Sequence, residues 1–192
     1  MKALALGFVS LFMSTLAFAH PASDRVLNFF QDLDAARDGS PSKICRIIHQ
    51  SFEHSQIMDR LMGNYVSSPD KAGVADMRRS SATFMATKAM PELKKLAGEN
   101  GSYSVNPNAT ARGNGYFAVS AKVSSKGKTY NLVFLVSPNQ KISDVEYIGF
   151  SAINHLGRKF RGDLDELKRT TNTPVTQYMR NLRADSDYVN CN

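Results

Sequence analysis

The 192-residue sequence contains no tryptophan and only two cysteines, Cys45 and Cys191, and no cluster of further metal ligands accompanies them. It also lacks the paired-histidine zinc motif, a Gly-rich phosphate loop following a strand, and a G-x-S-x-G elbow. These absences remove the usual sequence grounds for a zinc hydrolase, a nucleotide-binding enzyme or an α/β-hydrolase. Beyond residue 19 the longest strictly apolar run is Leu132 to Val136, far short of the roughly 20 residues needed to cross a bilayer. There is no internal repeat or low-complexity tract. With 12 Gly, 7 Pro and 42% hydrophobic residues, the composition excludes a disordered tail or a fibrous repeat and can supply a core.

What is present begins at the N-terminus. Lys2 precedes an apolar run from Ala3 to Leu16 and then Ala17-Phe18-Ala19, a small-x-small pattern that predicts an export signal over residues 1–19, cleaved before His20. The remaining 20–192 has the length of a single domain, and removing Lys2 takes the formal charge from +7 to +6. Export to an oxidising compartment, the periplasm, favours pairing of Cys45 with Cys191. That bridge would pin the C-terminal tail to an early helix and close a long loop, for about 5 kcal/mol in the chain-entropy model. The rival reading has Cys45 and His49, four apart on one helix, as nucleophile and base or as two metal ligands.

Hydrophobic spacing orders the chain. Val26, Phe29, Phe30 and Leu33 form one helical stripe that ends near Asp38-Gly39. Ser40-Pro41 opens a second helix burying Ile44, Ile47 and Ile48, and Ile57, Met58, Leu61, Met62 and Tyr65 mark a third. Ser68-Pro69 repeats the cap-and-proline start for a long helix through Phe84 and Met85, which Pro91 should bend or break. From Ser102 the period changes to two: Tyr103 and Val105, then Phe117, Val119, Ala121 and Val123, then Thr129 to Val136 with apolar residues on both faces, then Ile142 to Ile148. Turns at Lys126-Gly127-Lys128 and Pro138-Asn139-Gln140 make this a four-stranded antiparallel meander. Ser151 can cap a helix carrying Ile153, Leu156, Phe160, Leu164 and Leu167, weakened at Gly157 and Gly162, and Thr173-Pro174 opens a last one with Val175, Tyr178, Met179 and Leu182. The predicted class is α+β: a four-stranded antiparallel sheet with N-terminal and C-terminal helices packed mainly on one face, around an apolar cavity.

Candidate chemistry is thin. His49 and His54, read on one helix, stand about 140° apart and cannot share a ligand. His20 would follow the cleaved bond, so its imidazole and a free α-amine could begin a copper-binding brace with His155 as partner. Asp144 and His155 could form an acid–base pair in a cone-shaped α+β pocket, against the simpler expectation of an aspartate on an exposed strand face. No catalytic residue, metal or cofactor is assigned, and nucleic acid is not expected as a partner of an exported chain.

What recurs is deformable apolar surface. Five of the eight methionines lie between Met58 and Met90, with Tyr65 and Phe84 among them. Flexible thioether side chains suit either an ordinary core or an interior that accepts a variable acyl chain.

Leu61-Met62-Gly63-Asn64-Tyr65, Ser68-Pro69 and Phe84 resemble the helical half of the MlaC-type (toluene-tolerance) family of periplasmic lipid carriers, where Leu-Gly-x-Tyr precedes a Thr/Ser-Pro helix start. Asp144-Val145-Glu146-Tyr147-Ile148-Gly149-Phe150-Ser151 and Arg158-Lys159-Phe160 are similar to that family's Asp-Val-x-x-Glu-Gly-Val-Ser and Tyr-Arg-x-x-Phe blocks. Ile148 stands where the family usually has Glu, the tryptophan usual before the Asp-Val segment is missing, and Pro91 interrupts the long helix. The resemblance implies a monomeric, non-enzymatic carrier of phospholipid, passing it between an outer-membrane lipoprotein complex and an inner-membrane ABC transporter. Under it, the lipid-lining set would be Ile57, Leu61, Tyr65, Phe84 and Met85 from helices, with Val119, Leu132, Phe134, Val145 and Tyr147 from the sheet. A hopanoid or polyprenyl lipid is the alternative cargo, and an enzyme using Asp144 and His155 the alternative function.

Overall fold

The computed structural model describes residues 19–36, 39–91 and 101–192, so the predicted export segment lies outside the described residues apart from Ala19. Helix α1 (Pro21–Ala35) opens on a proline whose fixed φ suits a first helical residue, and the His20 ring accepts the Ala22 N–H at 3.1 Å. Its predicted stripe, Val26, Phe29, Phe30 and Leu33, is the buried one. Helix α2 (Pro41–Ser51) buries Ile44, Ile47 and Ile48, and helix α3 (His54–Met62) buries Ile57, Met58, Leu61 and Met62. Tyr65 falls beyond α3, in the 3₁₀ segment Gly63–Ser67.

The long helix expected after Ser68-Pro69 is not continuous. Asp70 caps α4 (Lys71–Arg79), the chain kinks at Ser80, and α5 (Ser81–Phe84) widens into a π turn over Met85–Ala89, where the Met90 N–H reaches the Met85 carbonyl. Pro91 accounts for the widening: it offers no N–H to the carbonyl of Thr87, and its ring crowds that carbonyl.

The sheet has six strands in the order β1 (Ser102–Val105), β3 (Phe117–Ser125), β4 (Lys128–Val136), β5 (Ile142–Tyr147), β6 (Phe150–Ser151), with β2 (Thr110–Ala111) also paired to β3. Every pairing is antiparallel, so the predicted meander is present with two short strands added. Strand β5 stops at Tyr147, one residue earlier than its spacing suggests, because Ile148 and Gly149 take φ of 51° and 75° and turn the chain into β6. Register places Val119, Phe134 and Val145 side by side, then Ala121, Leu132 and Tyr147, then Tyr103, Val123 and Tyr130, all on one face. The helices cover this inner face. Ser120, Lys122 and Asn131 on the other face are exposed.

Helix α6 (Ala152–Lys168) follows β6 directly, with Ser151 Oγ accepting the Asn154 N–H at 2.9 Å. Gly157, a weak point by propensity, is a crossing point: a Cβ there would stand 3.5 Å from the Leu61 Cα of α3 and 2.9 Å from the Arg161 guanidinium. Helix α7 (Pro174–Arg183) packs on α4 more closely still, since a Cβ on Gly73 would lie 2.4 Å from the Thr176 nitrogen. Asp70 is the staple of that contact, accepting the Gly73 N–H at 3.1 Å, the Thr176 N–H at 2.8 Å and the Thr176 hydroxyl at 2.7 Å. The C-terminal tail returns along α5, its Val189 and Cys191 N–H groups donating to Thr87 and Thr83, and Cys191 forms the predicted disulfide with Cys45 of α2, Cα to Cα 5.2 Å. No helix among the described residues is long and apolar enough to cross a membrane.

Two stability predictions follow from these fastenings. Burial alone would raise the Asp70 carboxyl, but the hydrogen bonds from Thr176, Gly73 and Val175 hold it below the usual carboxylate range. A carboxylate depressed by folding contributes stability above its unfolded pKa of about 3.9 and loses that contribution as pH falls through the folded value. Asp70→Asn should therefore cost about 2 kcal/mol in urea melts at neutral pH and flatten the loss of stability on acidification below about pH 4. Removing the bridge by Cys45→Ala with Cys191→Ala should cost about 3–5 kcal/mol, because it frees a loop spanning a sequence separation of 146. Thermal unfolding with and without reductant checks this: reductant should shift the parent chain and leave the double variant unmoved.

Candidate functional site

The inner sheet face and the helices above it enclose one continuous apolar layer. Ile57 and Leu61 come from α3, Phe84 and Met85 from α5 and its π turn, and Val119, Leu132, Phe134 and Val145 from the sheet, all buried in one core cluster, in which the Phe84 ring packs on Phe160 of α6 and Tyr178 of α7. Eight of the ten residues proposed from the sequence thus share the core cluster. Tyr65 is half-buried at its edge, and Tyr147 is 42% exposed at the end of β5. The apolar cavity expected from the sequence is not open here: these residues have almost no surface reachable by water, so their own side chains fill the space. Phe134 packs on Phe29 and Phe30 at ring-centroid distances of 6.0 and 5.5 Å, and Phe30 stacks on Tyr103 at 4.8 Å.

The two sides of the layer differ in material. Rings of Phe29, Phe30, Phe52, Tyr103 and Phe134 fill it under α1, whereas Met58, Met62, Met77, Met85 and Met90 are all buried in and around α3, α4 and α5. The ends of the sheet differ too. At the Phe117 end the His20 ring lies 4.3 Å from Phe117 and the His20 N–H donates to Pro107. At the other end the row Ala121, Leu132, Tyr147 runs from buried to exposed, and the Tyr147 ring meets that of Tyr130 at 5.8 Å.

Several surface grooves flank the core among the described residues, four of them as follows. The one between α3 and the sheet edge, about 470 Å³, is lined by Ile57, Leu135 and Tyr116 with Arg60, Arg112 and Glu146. A larger one of about 850 Å³ lies between the 3₁₀ segment and α6 and includes Tyr65, Arg161 and Asp165. The Tyr65 hydroxyl donates to Asp165 at 2.6 Å, and burial together with that bond and charge pushes its pKa up to about 12. Another lies on the outer sheet face at Ser120 and Asn131, and one lies between α6 and α7. Of the ten proposed residues only Ile57, Tyr65 and Leu132 line any of the four.

The polar candidates resolve differently from the sequence reading. Asp144 is buried rather than exposed, because the β5–β6 hairpin and the start of α6 fold back over it. It accepts from Arg60 at 2.8 Å, from Ser151 at 2.6 Å and from the Val145 and Ile153 N–H groups. His155 is exposed on α6 and is not among its partners, so the acid–base pair is not assembled. His49 and His54 lie on different helices, and the break at Phe52-Glu53 brings their rings to 5.0 Å, which a single continuous helix would forbid. His49 pairs with the Cys191 carbonyl and His54 with the Ser81 hydroxyl at 2.7 Å. Burial, with the charges of His49 and Lys141, pulls the His54 pKa below its usual value. Cys45 is in its disulfide and the His20 Nδ1 is spent on the Ala22 N–H. Among the described residues no three His, Cys, Asp or Glu side chains converge as a metal site. Sequence reasoning missed Arg60, whose pairing with Asp144 is long-range, and the exposed Ile148 and Phe150, which patterning had placed on a strand and at its end.

An antiparallel sheet covered on one face by helices from both halves of the chain defines the class: an α+β fold with an apolar interlayer. No protein-family model matches the chain, and no curated protein is similar to it in sequence. Among solved structures, it is similar to a phospholipid-binding protein from Ralstonia solanacearum, determined in complex with a phospholipid, at a TM-score of 0.62 and 17% identity over 83% of this chain and 95% of that one. At that identity the likeness establishes a common fold.

The ring contacts of Phe134 predict that Phe134→Ala costs about 3–5 kcal/mol in chemical denaturation. Met85→Leu, a volume-conserving change in the methionine half, should cost under about 1.5 kcal/mol.

Proposed function

We propose that this chain is a periplasmic lipid carrier that takes the acyl chains of a phospholipid into the layer between its sheet and helices. The observation that carries the reading is the layer itself: eight apolar residues from α3, α5 and three strands in one cluster, backed by five buried methionines. Each buried methylene is worth about 0.8 kcal/mol, so a free chain of about sixteen carbons costs on the order of 12 kcal/mol in water. A carrier must remove most of that cost. Because the layer is closed by its own side chains, loading requires the methionine-rich segments to move from the sheet and repack, which unbranched thioether side chains do readily. The head group stays at the surface and needs no buried charge.

The fold shared with a protein solved in complex with a phospholipid supports phospholipid over a hopanoid or polyprenyl lipid. The MlaC-like blocks at Leu61–Tyr65 and Asp144–Ser151 support delivery between an outer-membrane lipoprotein complex and an inner-membrane ABC transporter. An enzyme using Asp144 is disfavoured, because its carboxylate is already bonded to Arg60, Ser151 and two backbone N–H groups.

Native mass spectrometry of the chain purified from an exporting bacterium should show a phospholipid adduct, and organic extraction should release it. A hopanoid or polyprenyl adduct would correct the cargo. Protein that carries no lipid, and takes none from labelled liposomes, would overturn the reading. Leu132→Trp should lower the lipid recovered per mole of protein while shifting the melting temperature by only a few degrees; parallel loss of folding and lipid would assign Leu132 to an ordinary core.

A further inference from the structure

The turn joining β5 to β6 carries the large apolar side chains that the described residues leave exposed: Tyr147 at 42%, Ile148 at 71% and Phe150 at 73%. Ile148 is the most anomalous, because it holds φ of 51°, where a β-branched side chain is unfavourable and Asn or Gly would serve the turn better. With most of its surface in solvent, the side chain recovers little of that cost by packing.

The surroundings are basic. Leu132 pairs with Tyr147, so the start of β4 and the end of β5 share one end of the sheet, and the exposed Lys126 and Lys128 lie there with Ile148. Helix α6 begins directly after β6 and exposes His155, Arg158 and Lys159 in its first turns. Lys126, Lys128, Arg158 and Lys159 have no carboxylate partner among the described residues. Of the nearby acidic residues, Asp144 is buried and paired, and Glu146 shares the outer face with Val133.

We propose that this tip docks on the surface of an anionic bilayer, with Ile148 and Phe150 entering the boundary between head groups and acyl chains. Tyr147 and Tyr130 sit at the interface, where an aromatic ring with a polar end is favoured, and Lys126, Lys128, Arg158 and Lys159 face the lipid phosphates. A protein partner fits less well, since a stable protein interface buries about 800 Å² per side with lysine depleted from its centre, and this is a point ringed by cations. The proposal rests on the carrier reading for its purpose, because it sets the exposed end of the apolar layer against the membrane. Its observations are independent of what fills that layer.

Co-sedimentation of the mature chain with phosphatidylcholine vesicles, with and without phosphatidylglycerol, tests it. The parent chain should pellet with the phosphatidylglycerol vesicles and be released by salt. Ile148→Asn with Phe150→Ser should weaken that association roughly tenfold or more, and Lys126→Glu with Lys128→Glu should abolish the preference for phosphatidylglycerol. Ile148→Asn alone should melt a few degrees higher, since Asn tolerates the turn conformation, and both tip variants should keep the parent's lipid content by native mass spectrometry. Unchanged vesicle binding in the tip variant would overturn the proposal, as would lipid-loaded parent protein that ignores both vesicles. Vesicle binding by a chain that carries no lipid would leave the tip standing and remove the carrier reading.

Discussion

An apolar face running through three central strands cannot be left in water, and covering it determines most of this architecture. Val119, Phe134 and Val145 stand side by side with Leu132 and Ala121 next to them, and no single helix is wide enough to shield them. The cover comes from both halves of the chain, with α1 to α5 supplied before the sheet and α6 and α7 after it. Segments so distant in sequence must be fastened to one another. The Cys45–Cys191 bridge, the tail bonded to Thr83 and Thr87, the Asp70–Thr176 staple and the Gly157 crossing of α3 and α6 all perform that task. They lie among the helices rather than across the apolar layer. The helix layer is tied to the sheet as well, by Arg60 of α3 to Asp144 of β5 and by the Glu53 N–H to the Ile142 carbonyl.

Much of this was legible from spacing. The stripes of α1, α2 and α3 are buried as spaced except for Tyr65, and the alternation of Val119, Ala121 and Val123 marks the inner face, because in each case the pattern of water exclusion is local. Where the reading failed, a partner far along the chain decided the outcome. Ser68-Pro69 has the right residues for a helix start, but Asp70 takes it because its carboxylate also holds Thr176. A separation of about 140° between His49 and His54 holds only on one continuous helix, and the two-residue break at Phe52-Glu53 undoes it. Asp144 looked exposed by alternation until a strand too short to show any alternation, β6, folded over it. Of the lining set implied by the family resemblance, eight residues are buried in the core, while Tyr147 is 42% exposed beside a turn that patterning reads as strand.

The layer is uneven in a way that favours one route for opening. Aromatic rings under α1 have few rotamers and interlock, so Phe29, Phe30, Phe52 and Phe134 resist separation. Methionine has three rotatable side-chain bonds and re-forms contacts after a displacement. Its concentration in α3 to α5 coincides with the π turn at Met85–Ala89, where the backbone already departs from regular hydrogen bonding. Side chains and backbone are thus both most adaptable on the α3–α5 side.

Direction follows from the ends of the sheet. At the Phe117 end, His20 caps α1, bonds Pro107 and covers Phe117, so an opening there would break a helix start. At the Tyr147 end the inner face reaches the surface through Tyr130 and Tyr147, beside the Ser151 cap of α6. The cations of that end stand beside the exposed turn, while the acidic residues of α6, Asp163, Asp165 and Glu166, lie toward its other end. An anionic surface would thus orient the molecule with its exposed apolar turn forward. The backbone cost at Ile148 is compatible with this arrangement, since an apolar side chain at the apex of the turn lowers its free energy only where a nonaqueous phase is there to receive it.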